Sequence, residues 1–236
     1  MNAIYKREMR SYFTSPIGYI FMAMFLAMSS LLFSVMTFLA KTSQISSYFL
    51  VLLVVFVIVI PLLTMKLMSE ERKLKTEQIL LTSPVSLSGI VIAKFLAAFS
   101  MFALTFVVSE ILHFSFLAFF AAELNFAEIL GNIIGILLVG GAFIAIGLFI
   151  SSLTESQIVA AISTIAVIIF MMLLSVLSGY IGSDFLRVVV KWFAVISRFY
   201  PFTAGIFDLA SVIYYVSLTV IFLFLTIRVL EKRRWA

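Results

Sequence analysis

Two ionisable side chains, Glu110 and His113, lie one helical turn apart inside a long apolar run and could act together in acid–base chemistry. An ionisable side chain inside a membrane is costly, so it counts as a candidate functional group by default. A proton relay would need further acids at similar depth, and the run contains none. The sequence therefore predicts an intramembrane polar site at Glu110 and His113. Two roles stay open, a functional pair and a polar pair at the level of the outer lipid headgroups.

Other site chemistries are largely excluded by the residues that the chain lacks. It has no Cys and one His, so Cys and His metal sites and thiol nucleophiles are ruled out. No Gly is followed by Lys, so the chain has no phosphate-binding P-loop. We expect no catalytic residue, cofactor or metal on this chain, and we expect it not to be an enzyme. Any nucleotide must be held by another polypeptide.

The polar segment at residues 66–84, KLMSEERKLKTEQILLTSP, is the one long hydrophilic stretch between apolar runs. Glu71 and Lys75 have the favourable i, i+4 order of a helical ion pair. Leu67, Leu74 and Leu81 repeat every seven residues and would share one face of a helix. The pattern predicts a short helix outside the membrane that ends at Pro84. It serves either as a solvated connection or as a docking element.

The rest of the chain has the composition of a membrane protein. Hydrophobic residues make up 64% of the 236 residues and charged residues 11%, with a mean hydropathy of +1.25. Soluble domains have about 25% charged residues. A spanning helix needs about 20 apolar residues, and period-two alternation typical of barrel strands is missing. We predict a single all-α membrane domain, 1–236, with six transmembrane helices at residues 17–40, 47–65, 90–120, 128–151, 157–180 and 211–228.

Basic residues indicate the orientation of these helices. Six spans place both termini on one side of the membrane. The termini and the loops on that side hold twelve of the sixteen Lys and Arg residues, which are Lys6, Arg7, Arg10, Lys66, Arg72, Lys73, Lys75, Lys94, Arg228, Lys232, Arg233 and Arg234. By the positive-inside rule this side is cytoplasmic, and so are the 66–84 segment and the 229–236 tail.

Two amphipathic segments lie outside the predicted spans, one before the first span and one between the fifth and the sixth. Residues 1–16 place Tyr5, Met9 and Tyr12 at helical spacing beside a cluster of cations, which predicts an interfacial helix that ends at Pro16. It either anchors the first span or contacts a partner. On the outer side, residues 181–210 are too charged for a span and too apolar for a loop. They predict an interfacial or re-entrant helix that ends before Pro201.

Cations in that outer segment could form a basic face. Arg187, Lys191 and Arg198 follow i, i+4 and i+11 spacing, which aligns them on one side of a helix. They would contact lipid headgroups or form a basic collar around an exit for anionic cargo. Both interpretations stay open.

Small residues mark the fourth span. Gly131, Gly135, Gly140 and Gly141 include the spacing that lets helices approach closely. We expect them to pack helices within the subunit, with dimer contact as the alternative. In the turn after this span, Glu155 is the sole charge, and we expect Thr154 or Ser156 to cap a helix there.

The 66–84 segment resembles the signature of ABC-2 type transporter permeases. The residues concerned are Glu70-Glu71-Arg72, Thr76 and the run LLTSPV at 80–85. Six spans, an amphipathic N-terminal helix and a partly embedded segment before the last span fit the same family. The chain is most similar to small bacterial permeases of the gliding-motility-associated type. It departs from the pattern where Lys75 stands in place of the usual Gly, with Glu77 one position early.

This resemblance implies the permease subunit of a transporter driven by ATP. Such a subunit would pair with a second permease copy or paralogue and with separate ATP-binding subunits that hold ATP and Mg. It would export a substrate across the bacterial inner membrane. An outer-side accessory subunit is compatible with this role, and we expect no nucleic-acid partner. The 66–84 helix would be the coupling helix that contacts the ATPase through Ser69, Glu70, Glu71, Arg72, Thr76, Glu77, Leu80, Leu81, Thr82 and Ser83. A secondary transporter or a membrane scaffold is the alternative, although the two halves show no inverted repeat.

Overall fold

The computed structural model describes residues 1–39, 45–78, 85–120, 125–179, 190 and 192–234, and within these ranges it is helical with no strand. In chain order the helices are α1 (Asn2–Thr14), α2 (Pro16–Phe33, continued as a π-helix over Ser34–Leu39), α3 (Ser46–Thr64), α4 (Ser69–Lys73), α5 (Leu87–Phe120), α6 (Phe126–Leu153), α7 (Gln157–Leu177), α8 (Val195–Thr203) and α9 (Leu209–Arg234).

Six of these helices are long and apolar enough to cross a membrane, namely α2, α3, α5, α6, α7 and α9. The prediction of an all-α protein with six transmembrane helices is therefore confirmed. Helices α3, α5 and α6 form the centre, because 56–67% of their most apolar windows is buried. The corresponding share in α2, α7 and α9 is 17–28%, so these three lie at the periphery. Helix α9 continues to Arg234 and includes most of the predicted tail.

Aromatic rings fill the centre between α2, α3 and α5. The ring of Phe102 lies 6.2 Å from that of Phe25 and 5.3 Å from that of Phe56, both edge to face. All three side chains are at most 1% exposed. Aromatic pairs in this geometry add to the packing of the helices. The apolar core of the bundle is thus a close-packed layer of phenylalanines.

Glycines of α6 allow neighbouring helices to approach this core. A Cβ atom on Gly140 would lie 2.3 Å from the Phe102 ring, and one on Gly135 would lie 2.7 Å from the Phe199 ring of α8. At Gly131 it would meet the carbonyl oxygen of Phe202 at 2.7 Å. At Gly141 the nearest atom would be 3.4 Å away. The first three glycines therefore face helices of the same chain at close range.

Helix α8 differs from its sequence prediction. It contains Pro201 instead of ending before it, so that boundary was wrong. The buried side chains of Val195, Phe199 and Phe202 hold the helix inside the bundle. Their packing outweighs the single backbone hydrogen bond that a proline removes. The segment ends at Gly205, whose φ of +70° is a conformation that glycine adopts readily.

Candidate functional site

Residues 65–78, here called the connector segment, follow α3 on the side of the membrane that carries α1 and the carboxyl end of α9, here called the basic side. Helix α4 covers Ser69–Lys73, and a turn follows with Lys75 at a φ of 57°. Leu67 is 3% exposed and Leu74 is 64% exposed, so the prediction that they share one helical face was wrong. Leu67 lies in the turn before α4 and Leu74 follows its last residue, so no continuous helix contains both. Leu80, Leu81, Thr82 and Ser83 lie outside the described residues.

The conformation of Lys75 explains one departure from the permease pattern. The left-handed region is open to glycine and costs other residues about 1–2 kcal/mol. The family pattern usually has Gly at this position, and Lys75 adopts the backbone conformation that glycine favours. The turn at Lys75 is therefore one that a glycine would also form.

An ion network on the basic side joins three separate helices. Lys94 of α5 is 1% exposed, and its Nζ lies 3.1 Å from Glu8 Oε1 and 2.9 Å from Glu71 Oε1. The same Nζ donates to the carbonyl oxygen of Leu67 at 2.7 Å. Arg7 Nη2 lies 2.6 Å from each of the two carboxylates. These residues, here called the ion network, fix α1, α4 and α5 to one another.

This arrangement corrects the expected helical pair of Glu71 with Lys75. Glu71 is bound by Lys94 and Arg7, which are distant in sequence. The turn after Lys73 ends the helix before an i, i+4 pair can form. Local spacing favoured the wrong cation because the sequence does not show which helices are adjacent.

The pKa of Glu8 reflects the same network. Burial by itself would raise the pKa, but the charges of Lys94 and Arg7 outweigh it. The pKa of Glu8 is therefore held below its ordinary value of 4.5. The carboxylate form is stabilised, which is the form that the ion pairs require.

Two further contacts attach the connector segment to the end of α6. Ser151 Oγ accepts hydrogen bonds from the backbone N–H groups of Met68 and Ser69, each at 3.1 Å. Arg72 donates to the carbonyl oxygen of Leu153 at 2.9 Å and pairs with Glu155 at 2.9 Å. Arg72 thus binds both the last turn of α6 and the turn that follows it.

That turn also contains the expected helix cap. Ser156 Oγ accepts from the backbone N–H of Val159 at 3.4 Å, at the first turn of α7. Thr154 Oγ1 accepts from the N–H of Ser156 at 3.2 Å. Glu155 is left free of capping and contacts the connector segment through Arg72 instead.

The carboxyl end of α9 contacts the connector segment as well. Arg233 Nη1 lies 2.9 Å from Glu77, and Arg233 also donates to the carbonyl oxygen of Ser152. The connector segment is therefore bound to α1, α5, α6 and α9. Its tip is exposed at Lys73, Leu74, Lys75 and Thr76. Glu70 is 41% exposed in its side chain and lies 3.8 Å from Lys66.

A second polar cluster lies between α2, α3 and α5, further along the spans. Tyr48 Oη donates to Glu110 Oε1 at 2.7 Å and lies 3.1 Å from His113 Nδ1. A phenol has one hydrogen to donate, so the contact with Nδ1 requires the imidazole to donate. His113 Nε2 lies 3.3 Å from Ser30 Oγ. These four residues are here called the intramembrane cluster.

The intramembrane cluster is buried. Glu110 is 3% exposed and His113 is 4% exposed, which places them between helices and not at a lipid-facing surface. The His113 ring stacks on Phe33 at 4.5 Å between centroids, next to the π-helix of α2. Glu110 Oε2 is buried, and no residue in the described part of the chain hydrogen-bonds to it. Sequence reasoning found the pair but missed Tyr48 and Ser30, whose partners are distant in the chain.

The outer basic face is described only in part. Arg198 lies over the Tyr214 ring, 5.8 Å from its centroid. Arg187 and Lys191 lie outside the described residues. Within the described ranges, no group of three or more His, Asp or Glu side chains could hold a metal ion.

The six long apolar helices, with a connector segment bound to four helices on one side, define a multi-pass membrane protein. The model of a family described as "ABC-2 family transporter protein" matches residues 34–230. The chain belongs to this family and is a membrane permease component of a transporter. No curated protein matches the chain.

Proposed function

We propose that this chain is the permease subunit of a transporter in which a separate ATP-binding subunit supplies the energy. The partner would hold ATP and Mg and would dock on the connector segment. We place the basic side in the bacterial cytoplasm and infer export across the inner membrane by a dimer of permease subunits. Family membership supports the permease role, and the distribution of Lys and Arg supports the orientation.

One observation carries this proposal, namely that the connector segment is bound to several helices on its inner side and exposed at its tip. Lys94, Ser151 and Arg233 each connect it to a different long helix. A force applied at the tip would therefore reach α5, α6 and α9 through direct contacts. A solvated connection would need neither the buried ion network nor these backbone contacts.

The tip has the chemistry of a docking surface. Leu74 is 64% exposed outside the apolar spans, and the exposed cations Lys73 and Lys75 flank it. An apolar anchor surrounded by charge suits a pocket with an acidic rim. Glu71 is less suited to docking, because its carboxylate is occupied by the ion network.

The test is purification of the chain from its native membrane in mild detergent, followed by mass spectrometry of the retained proteins. We expect a P-loop ATPase with the wild type. Leu74→Asp and Lys75→Glu should each lower its recovery while the permease stays folded. Arg10→Glu is the matched control, because it reverses an exposed cation of α1 on the same side, outside the connector segment and the ion network.

The outcomes separate the alternatives. An ATPase lost with the tip variants and kept with the control supports docking at the connector segment. Equal recovery of the ATPase with all variants would place its contact on another part of the permease. Recovery of the chain alone, as an oligomer indifferent to ATP, would favour a secondary transporter or a scaffold.

A further inference from the structure

A cavity of about 530 Å³ opens on the basic side between the start of α5 and the end of α9. Its polar lining within the described ranges consists of Ser86, which directly precedes α5, Ser88 of α5, and Arg228, Glu231, Lys232 and Arg234 of α9. None of these residues belongs to the ion network or the connector segment. The contacts described above leave this cavity without a role.

The cavity has the charge of an anion site. Three cations and one carboxylate line it, a formal excess of two positive charges. Arg228 pairs with Glu231 at 2.6 Å, which leaves Lys232 and Arg234 without an ion pair among the described contacts. On the opposite wall, Ser86 Oγ accepts from Ser88 Oγ at 3.3 Å and from the Gly89 N–H at 3.2 Å, so its own hydroxyl hydrogen can be donated to a ligand.

Helix α9 divides its cations between two directions. Arg233 turns inward to Glu77 and Ser152, whereas Arg228, Lys232 and Arg234 line the cavity. Residues 228 and 232 lie one turn apart on the same face. The cations at the end of α9 therefore do more than indicate the membrane topology. Arg233 binds inside the bundle, whereas the other three line the cavity.

The cavity lies at the boundary of the apolar layer. The Arg228 guanidinium lies 4.7 Å from the centroid of the Phe224 ring, one turn inside the span. Leu87 and Ile227 add apolar lining, and Ile221 and Phe224 are 53% and 50% exposed along α9 below it. A ligand with an anionic head and apolar chains would contact both the cavity and this strip.

We propose that the cavity binds the phosphate headgroup of an anionic phospholipid, with the acyl chains along the exposed face of α9. Basic pockets between spanning helices bind headgroups of this kind. A free phosphate ion shares the headgroup chemistry, but it would make no use of the apolar strip. The site does not depend on coupling to an ATPase or on the direction of transport.

The test is native mass spectrometry of the purified, delipidated chain titrated with phosphatidylglycerol, with zwitterionic phosphatidylcholine and with inorganic phosphate alone. The double variant Arg228→Gln with Lys232→Gln removes two cations from α9. Ser88→Glu adds a carboxylate from α5, so the two variants alter opposite walls independently. Lys75→Gln is the control, because it removes an exposed cation outside the cavity.

We expect preferential binding of phosphatidylglycerol by the wild type and by Lys75→Gln. With about 1 kcal/mol per basic residue near the surface, the double variant should bind it roughly thirtyfold more weakly. Ser88→Glu should weaken it in the same direction. Unchanged binding in both cavity variants, or no preference for phosphatidylglycerol over phosphatidylcholine, would overturn the proposal. Phosphate binding as strong as lipid binding would assign the cavity to a free anion and overturn it too.

Discussion

The ion network and the intramembrane cluster both join three helices through buried polar groups, but they do so by different means. In the network each charged group contacts a group of opposite charge, as Lys94 does with Glu8 and Glu71. In the cluster Glu110 contacts a neutral phenol, and none of the described residues hydrogen-bonds to its second oxygen. The network lies near the aqueous boundary, where a charged side chain is tolerated when an opposite charge pairs with it. The cluster lies within the apolar layer, where hydrogen bonds replace ion pairs.

The two regions therefore differ in the mechanical role that we expect of them. The network has several mutually compensating charges and should hold α1, α4 and α5 in one arrangement. The cluster has an incompletely satisfied carboxyl group next to a π-helix, and both features are frequent at functional sites. We therefore expect the network to be the more costly of the two to disrupt.

Lys94→Met gives the largest expected effect. It leaves Glu8 and Glu71 close together without the buried ammonium, and breaking a buried ion pair costs about 3–5 kcal/mol. Thermal unfolding in detergent should show a strongly lowered Tm. Lys75→Met, which removes an exposed cation, should change stability by about 0.5 kcal/mol or less.

A rescue variant sharpens this test. Adding Glu8→Gln and Glu71→Gln to Lys94→Met removes the two carboxylates that have lost their buried ammonium partner and share only Arg7, and should recover much of the lost stability. A Tm equal to that of the wild type in Lys94→Met itself would show that the network does not hold the helices together.

Gly140→Ala tests the apolar layer between the two regions. Its Cβ would lie 2.3 Å from the buried Phe102 ring, and overpacking of this kind costs about 1–3 kcal/mol. Gly141→Ala is the matched control, since its Cβ would meet no atom closer than 3.4 Å. Thermal unfolding should show a lowered Tm for Gly140→Ala only. An equal Tm for the two variants would contradict the close packing of Phe102 against Gly140.

Tyr48→Phe tests the intramembrane cluster. It removes the donor to Glu110 Oε1 and the partner of His113 Nδ1, which should cost about 1–2 kcal/mol. Glu110→Gln keeps an acceptor for Tyr48 and should cost less. Thermal unfolding compares the stability of the two variants. A larger loss of stability in Glu110→Gln than in Tyr48→Phe would contradict the hydrogen bonds assigned to Tyr48. Full transport by Glu110→Gln would limit the cluster to a structural role.

Acid titration gives the smallest expected effect. The pKa of Glu8 is lowered in the folded chain, so its contribution to stability is present above the ordinary value of 4.5 and is lost as the pH falls through the folded pKa. The difference in Tm between the wild type and Glu8→Gln should therefore shrink from about pH 5 to about pH 3. A constant difference over this range would show that Glu8 is not held as a carboxylate.

Local patterns in the chain were sufficient for the architecture and the family. A run of about 20 apolar residues must become a helix in a membrane, because each backbone group needs a partner within the segment. The six spans and the polar connector could therefore be predicted, as could the permease signature around Glu70 and Glu71. The glycine spacing of α6 likewise indicated close helix packing before the neighbouring helices were known.

The partners of the polar side chains were decided by the tertiary structure. Lys94 and Glu8 are 86 residues apart and Tyr48 and Glu110 are 62 apart, so no helical period relates them. The i, i+4 rule paired Glu71 with Lys75, and the seven-residue repeat placed Leu67 with Leu74. Helix α4 covers only Ser69–Lys73 and is too short to contain either pair. By itself the sequence determined which segments enter the membrane, because hydropathy is a property of consecutive residues. Which side chains meet between those segments depended on how the helices pack, because ion pairs and hydrogen bonds form only over a few ångströms.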